Sequence, residues 1–278
     1  MRKITAILAF LLFVMVVALY GAFSSYLVVD KNRQLAEQQI QGMQQPSAGE
    51  LMITAKTIAQ SDDFYNIRAE YPQITYPQTT GESEAFNKKI AAAVNNLIDE
   101  FKKGAKENWD ARVATAPADQ AVPQNPEQPF YFAATWMPAQ LNDRYASFVI
   151  KAYYFSGGAH GNDRIFAFNY DLKNKKEITM ADFCGSSENF DKLAKMAQTQ
   201  IRSQLQAEGL NLDQAAEKWI ADGTSASEDN YRNFTFGYGK LTVYFEKYQV
   251  GPGAIGDLAA VFLKKDLDES AVGADYFD

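Results

Sequence analysis

The sequence predicts an α+β fold: antiparallel sheets packed against two main amphipathic helices, preceded by one N-terminal transmembrane helix. Three observations carry this. Aromatic residues make up 13% of the 278, with 15 Tyr and 19 Phe, a composition suited to pleated, half-buried surfaces. Alternating strand patterns recur along the chain, while only two long stretches show helical spacing. Near the start, one uncharged run is long enough to cross a bilayer.

That run covers residues 4–29, preceded by Arg2 and Lys3 and followed by Asp30, Lys31 and Arg33. About 20 apolar residues span a bilayer, whereas the apolar part of a cleaved signal runs about 7–15. Ala22-Phe23-Ser24 offers a small-x-small cleavage site, but cutting there strands Tyr26-Leu27-Val28-Val29. An anchor over residues 1–30 is therefore preferred to a cleaved signal. Arg2 and Lys3 keep the amino terminus in the cytoplasm and the rest outside, at the cell membrane. Residues 31–50, with Gln34, Gln38, Gln39, Gln41, Gln44 and Gln45, read as a Gln-rich stalk.

Strand patterns follow at residues 64–69, 130–137, 145–155, 164–172, 233–236, 241–248 and 259–263. The first helix runs from Ser83, its expected N-cap, with Phe86, Ile90, Val94, Leu97, Ile98, Phe101, Ala105 and Trp109 on one face. The second follows Ser187, with Phe190, Leu193, Ala197, Ile201 and Leu205 on one side and Gly209 as its stop. A short third helix fits residues 212–220. Pro117, Pro123, Pro126 and Pro129 exclude helix and central strand between them, leaving a surface loop. Gly237-Tyr238-Gly239-Lys240 reads as a hairpin turn. The ectodomain divides into an N-terminal half, 51–157, and a C-terminal half, 158–266, with 267–278 as a solvated acidic tail.

A net charge of −7 disfavours nucleic acid, whose phosphates demand concentrated Lys and Arg, and favours cationic partners. One Cys, Cys184, excludes an intramolecular disulfide, and one His, His160, excludes a multi-histidine metal site. No cofactor and no metal are expected.

Two segments concentrate residues that could carry function. Ser156-Gly157-Gly158-Ala159-His160-Gly161-Asn162 joins two strong strands. His160 there is either a general base or ligand contact, or a loop-structuring residue bonded to neighbouring backbone, and the second role is preferred. The other segment, from Tyr248 through Pro252 and Gly256 to Asp257, is a Gly/Pro turn lacking the Lys-Ser/Thr ending of a phosphate loop. The candidates for ligand binding or loop structuring are Gly157, Gly158, His160, Gly161, Asn162, Tyr248, Pro252 and Gly256. None is assigned a catalytic role.

Tyr153 to Asn162 resembles the Y-x-x-GGAHGN signature of a bacterial envelope ectodomain family. The similarity continues through Phe168-Asn169-Tyr170-Asp171-Leu172, Ile178 to Phe183, Leu241 to Tyr248 and Gly251 to Gly256, with Tyr71-Pro72-Gln73-Ile74 and Phe86 to Ile90 upstream. Members include the lysozyme-sensing anti-sigma factor of bacilli and the region ahead of the catalytic domain in certain peptidoglycan deacetylases. The resemblance implies an extracytoplasmic α+β module that binds a protein or wall component. Only Met1-Arg2-Lys3 precede the anchor, too little for a sigma-binding segment, and the Asp-His-His metal site of the deacetylases is missing. The expectation is a membrane-anchored binding module without catalytic activity, its partner a cationic protein such as lysozyme, or peptidoglycan. The alternatives are an envelope hydrolase using His160 with a carboxylate, and a structural part of a larger envelope complex.

Overall fold

The computed structural model describes residues 52–75, 82–115, 130–158, 160–267 and 274–277. The expected anchor and Gln-rich stalk lie outside these residues, as does nearly all of the proline-rich loop. No helix among the described residues is long and apolar enough to cross a membrane.

The larger sheet holds six strands in chain order: β1 (Met52–Ser61), β2 (Tyr65–Thr75), β3 (Phe130–Leu141), β4 (Tyr145–Phe155), β5 (Asn162–Asp171) and β6 (Lys176–Glu177). Neighbours pair antiparallel except β2 and β3, which run parallel, so the sheet is mixed rather than wholly antiparallel as expected. The cause is α1 (Glu82–Thr115), a 34-residue crossover that returns the chain to the end where β2 began. Its apolar stripe, Phe86, Ile90, Val94, Leu97, Phe101 and Ala105, buries against Ile67, Tyr71, Phe132, Trp136, Phe148 and Ile150. Phe86 stacks on Tyr170 at 4.5 Å between ring centres. The helix begins at Glu82, so Ser83 lies in its first turn rather than at the N-cap.

A second core forms around α2 (Met180–Cys184), α3 (Ser187–Ala207), α4 (Gln214–Gly223) and an antiparallel sheet of β7 (Phe234–Gly237), β8 (Lys240–Phe245) and β9 (Leu258–Leu263). The helix expected after Ser187 takes in Ser187 as its first residue and is capped by Ser186, whose hydroxyl accepts from Asn189 N at 3.2 Å. Gly209, at φ 82°, follows the helix end as expected. Leu193, Ala197, Ile201 and Leu205 bury against Leu241, Val243, Phe245 and Phe262. β8 stops short of residue 248 because Gln249 N donates to Glu246 O at 2.9 Å, closing a turn. The chain end is not a wholly solvated tail: the turn Ala274–Phe277 buries Phe277 and stacks Tyr276 on Phe183 at 5.2 Å.

A buried polar network stitches the sheets together. Ser147 Oγ donates to Asn169 Oδ1 at 2.7 Å and accepts from Phe236 N at 3.0 Å, while Asn169 Nδ2 donates to Phe234 O at 2.7 Å. Ser147 and Asn169, bonded to each other within the larger sheet, each also bond the backbone of β7, which fixes β7 against β4 and β5.

Candidate functional site

The turn between β4 and β5 is anchored from α1. Asn108 Nδ2 donates to Ser156 O at 2.8 Å and to Gly104 O at 3.0 Å. Gly157 and Gly158 adopt φ of 113° and 98°, which a side chain opposes. Gly161 is not in the left-handed region; the Tyr153 hydroxyl lies directly where its Cβ would be. His160 is exposed, and its Nδ1–H donates to Gly161 O at 3.0 Å. Among the described residues no carboxylate is hydrogen-bonded to His160. Asn162, also exposed, opens β5 opposite Tyr154.

The second segment is equally built. Tyr248 takes φ 70°, with Gly253 packed directly against its ring. Pro252 precedes the short turn Gly253–Ile255, and Gly256 (φ 83°, ψ −156°) occupies a region reserved for glycine. Gln249 Nε2 ties the loop to Gly223 O and Asn230 O at 3.1 and 2.9 Å.

The fold brings these two segments to one seam. Asp163, just after the signature, is raised above the usual carboxylate range by burial and then by the charge of Asp257, against the pull of Lys247 and Lys151. Asp257, just after Gly256, is raised by surrounding protein and by Glu246; Lys247 N donates to its Oδ1 at 3.0 Å. Its carboxylate keeps an exposed edge, so solvent moderates the effect. Glu246 accepts from Arg232 Nη2 at 2.7 Å and from Ile165 N at 3.4 Å. Lys151 Nζ lies 5.6 Å from the centre of the Tyr244 ring. Beside them Tyr131 stacks on Tyr153 at 5.6 Å, its hydroxyl held far above the usual range by burial, the Tyr153 bond and Asp163. The seam thus sets three carboxylates among three cations, Lys151, Lys247 and Arg232, and a cationic ligand would exchange with them. No group of three or more His, Cys, Asp or Glu among the described residues could hold a metal. Burial pushes the Cys184 thiol up to about 12, which makes it a core residue rather than a nucleophile.

Sequence reasoning placed Gly157, Gly158, His160, Gly161 and Asn162 in one turn and Tyr248, Pro252 and Gly256 in another; the structure agrees except for Asn162, which already pairs with Tyr154 as the first residue of β5. It did not assign Lys151, Asp163, Glu246 or Asp257 to a site. The signal was adjacency: each aspartate directly follows one of the glycine segments.

Residues 58–163 match the family described as Deacetylase PdaC, and residues 181–262 the family described as Protein of unknown function (DUF3298). Over 132 residues, 47% of this chain, it is 27% identical to the peptidoglycan-N-acetylmuramic acid deacetylase PdaC of Bacillus subtilis. The chain spans only 27% of that protein's length. Two solved DUF3298 proteins share the fold. That of Bacteroides fragilis gives a TM-score of 0.59 at 14% identity, over 82% of this chain and 96% of its own. That of Pseudomonas aeruginosa gives 0.51 at 15%, over 83% and 97%. The chain therefore pairs a PdaC-like segment with a DUF3298 segment, in an envelope-type domain.

Proposed function

We propose that this PdaC-like, DUF3298-containing protein is a binding module outside the cell membrane, held on one N-terminal anchor and without catalytic activity of its own. Its ligand is a cationic protein such as lysozyme, or a peptidoglycan component, received at the seam of Asp163, Glu246 and Asp257. The observation that supports this is the convergence of both glycine segments on that carboxylate seam, where complementary charge speeds association. The exposed His160, bonded to its neighbour's carbonyl, adds nothing that a general base would need from a carboxylate.

The test is binding of the full chain in detergent micelles to lysozyme and to purified peptidoglycan. The double substitution Asp163→Asn/Asp257→Asn should weaken capture at least tenfold, about 1.4 kcal/mol, in a chain that still unfolds cooperatively and is no less stable than wild type. Equal binding by wild type and variant overturns the seam. Turnover of a wall substrate that disappears in His160→Ala, with the fold intact, would establish the hydrolase instead.

A further inference from the structure

We infer that Trp219 and Tyr248 form a second ligand surface, an aromatic platform for the C–H faces of a saccharide chain. Among the described residues, large side chains left exposed are few: Val113, Trp219, Tyr238, Tyr248, Val261 and Leu263. Trp219 on α4 and Tyr248 on the loop after β8 are joined directly, the indole Nε1–H donating to Tyr248 O at 2.9 Å. An indole usually buries most of its surface, yet this one is 39% exposed, and Tyr248 is 57% exposed. Both are nevertheless fixed. The indole is held by its polar edge, and Tyr248 by a left-handed φ of 70° that a bulky residue adopts only when its surroundings impose it. Gly253 packs directly against the phenol ring, a close approach that any Cβ would block. Beneath, Gly223 lies directly against the Gln249 carbonyl, so loop and helix form one support.

The surroundings select the ligand class. The other exposed large apolar residues, Val113, Tyr238, Val261 and Leu263, sit on other elements. Its neighbours are polar: Lys218 and Asp222, ion-paired at 2.5 Å on α4, and Lys247, whose Nζ lies 5.6 Å from the Tyr248 ring centre. Flat rings with charged neighbours match a pyranose, which offers an apolar C–H face and a hydroxylated edge. This deepens the proposed function on its wall side and rests on that reading only for the location outside the cell.

The test titrates the full chain in detergent micelles with a soluble N-acetylglucosamine tetramer, following binding by calorimetry. Trp219→Ala and Tyr248→Asn should each weaken binding at least tenfold; Asn tolerates the left-handed backbone, so the loop survives. Tyr248→Phe should retain binding, as should Asp163→Asn/Asp257→Asn. A wild-type chain that captures lysozyme but ignores the tetramer overturns the platform and leaves the seam standing. Tetramer binding unchanged in folded Trp219→Ala overturns it as well.

Discussion

Gly158 and Gly161 stand three residues apart in one turn, and a methyl group would meet a different obstacle at each. At Gly158 nothing lies within 4 Å of the missing Cβ, so Gly158→Ala costs only the left-handed backbone, about 1 kcal/mol. At Gly161 the backbone is permissive, but the Tyr153 hydroxyl fills the space and Tyr153 is itself stacked on Tyr131. Gly161→Ala should therefore cost more than Gly158→Ala, about 2 kcal/mol or above, because overpacking must move a stacked ring. Urea unfolding of the two variants checks this, and the reverse order would show that Tyr153 swings away freely. The glycine pattern was legible in the sequence because turn chemistry is local. Asn108 and Tyr153 were not legible as its supports. Asn108 arrives from 48 residues upstream of Ser156, and nothing in a helical stretch of polar side chains marks the one that reaches a distant carbonyl.

At the scale of elements, β9 shows how a sheet edge is closed without another strand. Gln200 on α3 donates to Val261 O and accepts from Val261 N, both at 2.9 Å, and Gln204 donates to Ala259 O at 2.9 Å. Side-chain amides thus occupy the positions that a neighbouring strand's peptides would take, beside the exposed Val261 and Leu263. Gln200→Ala/Gln204→Ala should lower stability by about 1–2 kcal/mol and raise self-association, since the freed edge carries apolar side chains. Sedimentation at rising concentration would measure the second effect; a monomeric variant would mean the edge is guarded otherwise. α1 and α3 were legible because each buries one apolar stripe, and β4 because its dense aromatic and β-branched content suits a strand buried on both faces along its first half. β1 was not: it is an edge strand exposed along most of its length, so burial imposes no alternation on it. The parallel pairing of β2 with β3 was hidden for another reason, since it depends on the whole crossover rather than on either strand. Tyr276 and Phe277 were masked by the acidic residues around them, although the core they join is aromatic.

At the scale of the whole molecule, two cores meet along the Ser147–Asn169 network and along the carboxylate seam, and the two junctions respond differently to pH. The network is neutral and indifferent to it. In the seam, Asp163 and Asp257 both have native-state carboxyls raised above the ordinary value of 3.8, chiefly by loss of solvent. The folded chain therefore holds protons that the unfolded chain has released, and this contribution to stability is full below the ordinary value and lost as pH rises through the raised ones. Half-buried pairs such as Arg202–Glu217 act in the opposite sense, with Glu217 lowered by its guanidinium partner, so their support fades only as pH falls below the ordinary carboxylate range. Asp163→Asn should thus gain on wild type in urea midpoint as pH climbs from about 4 towards neutrality, because it removes a charge that the native seam disfavours. Ligand binding should run the other way round. A cation entering the seam needs the carboxylates ionised, so it must displace their protons, and its affinity should rise with pH over the same interval while each binding event releases protons to the buffer. Calorimetric titration of lysozyme in two buffers of different ionisation heat reads that release directly. Proton release that persists in Asp163→Asn/Asp257→Asn would assign the charge recognition to other groups.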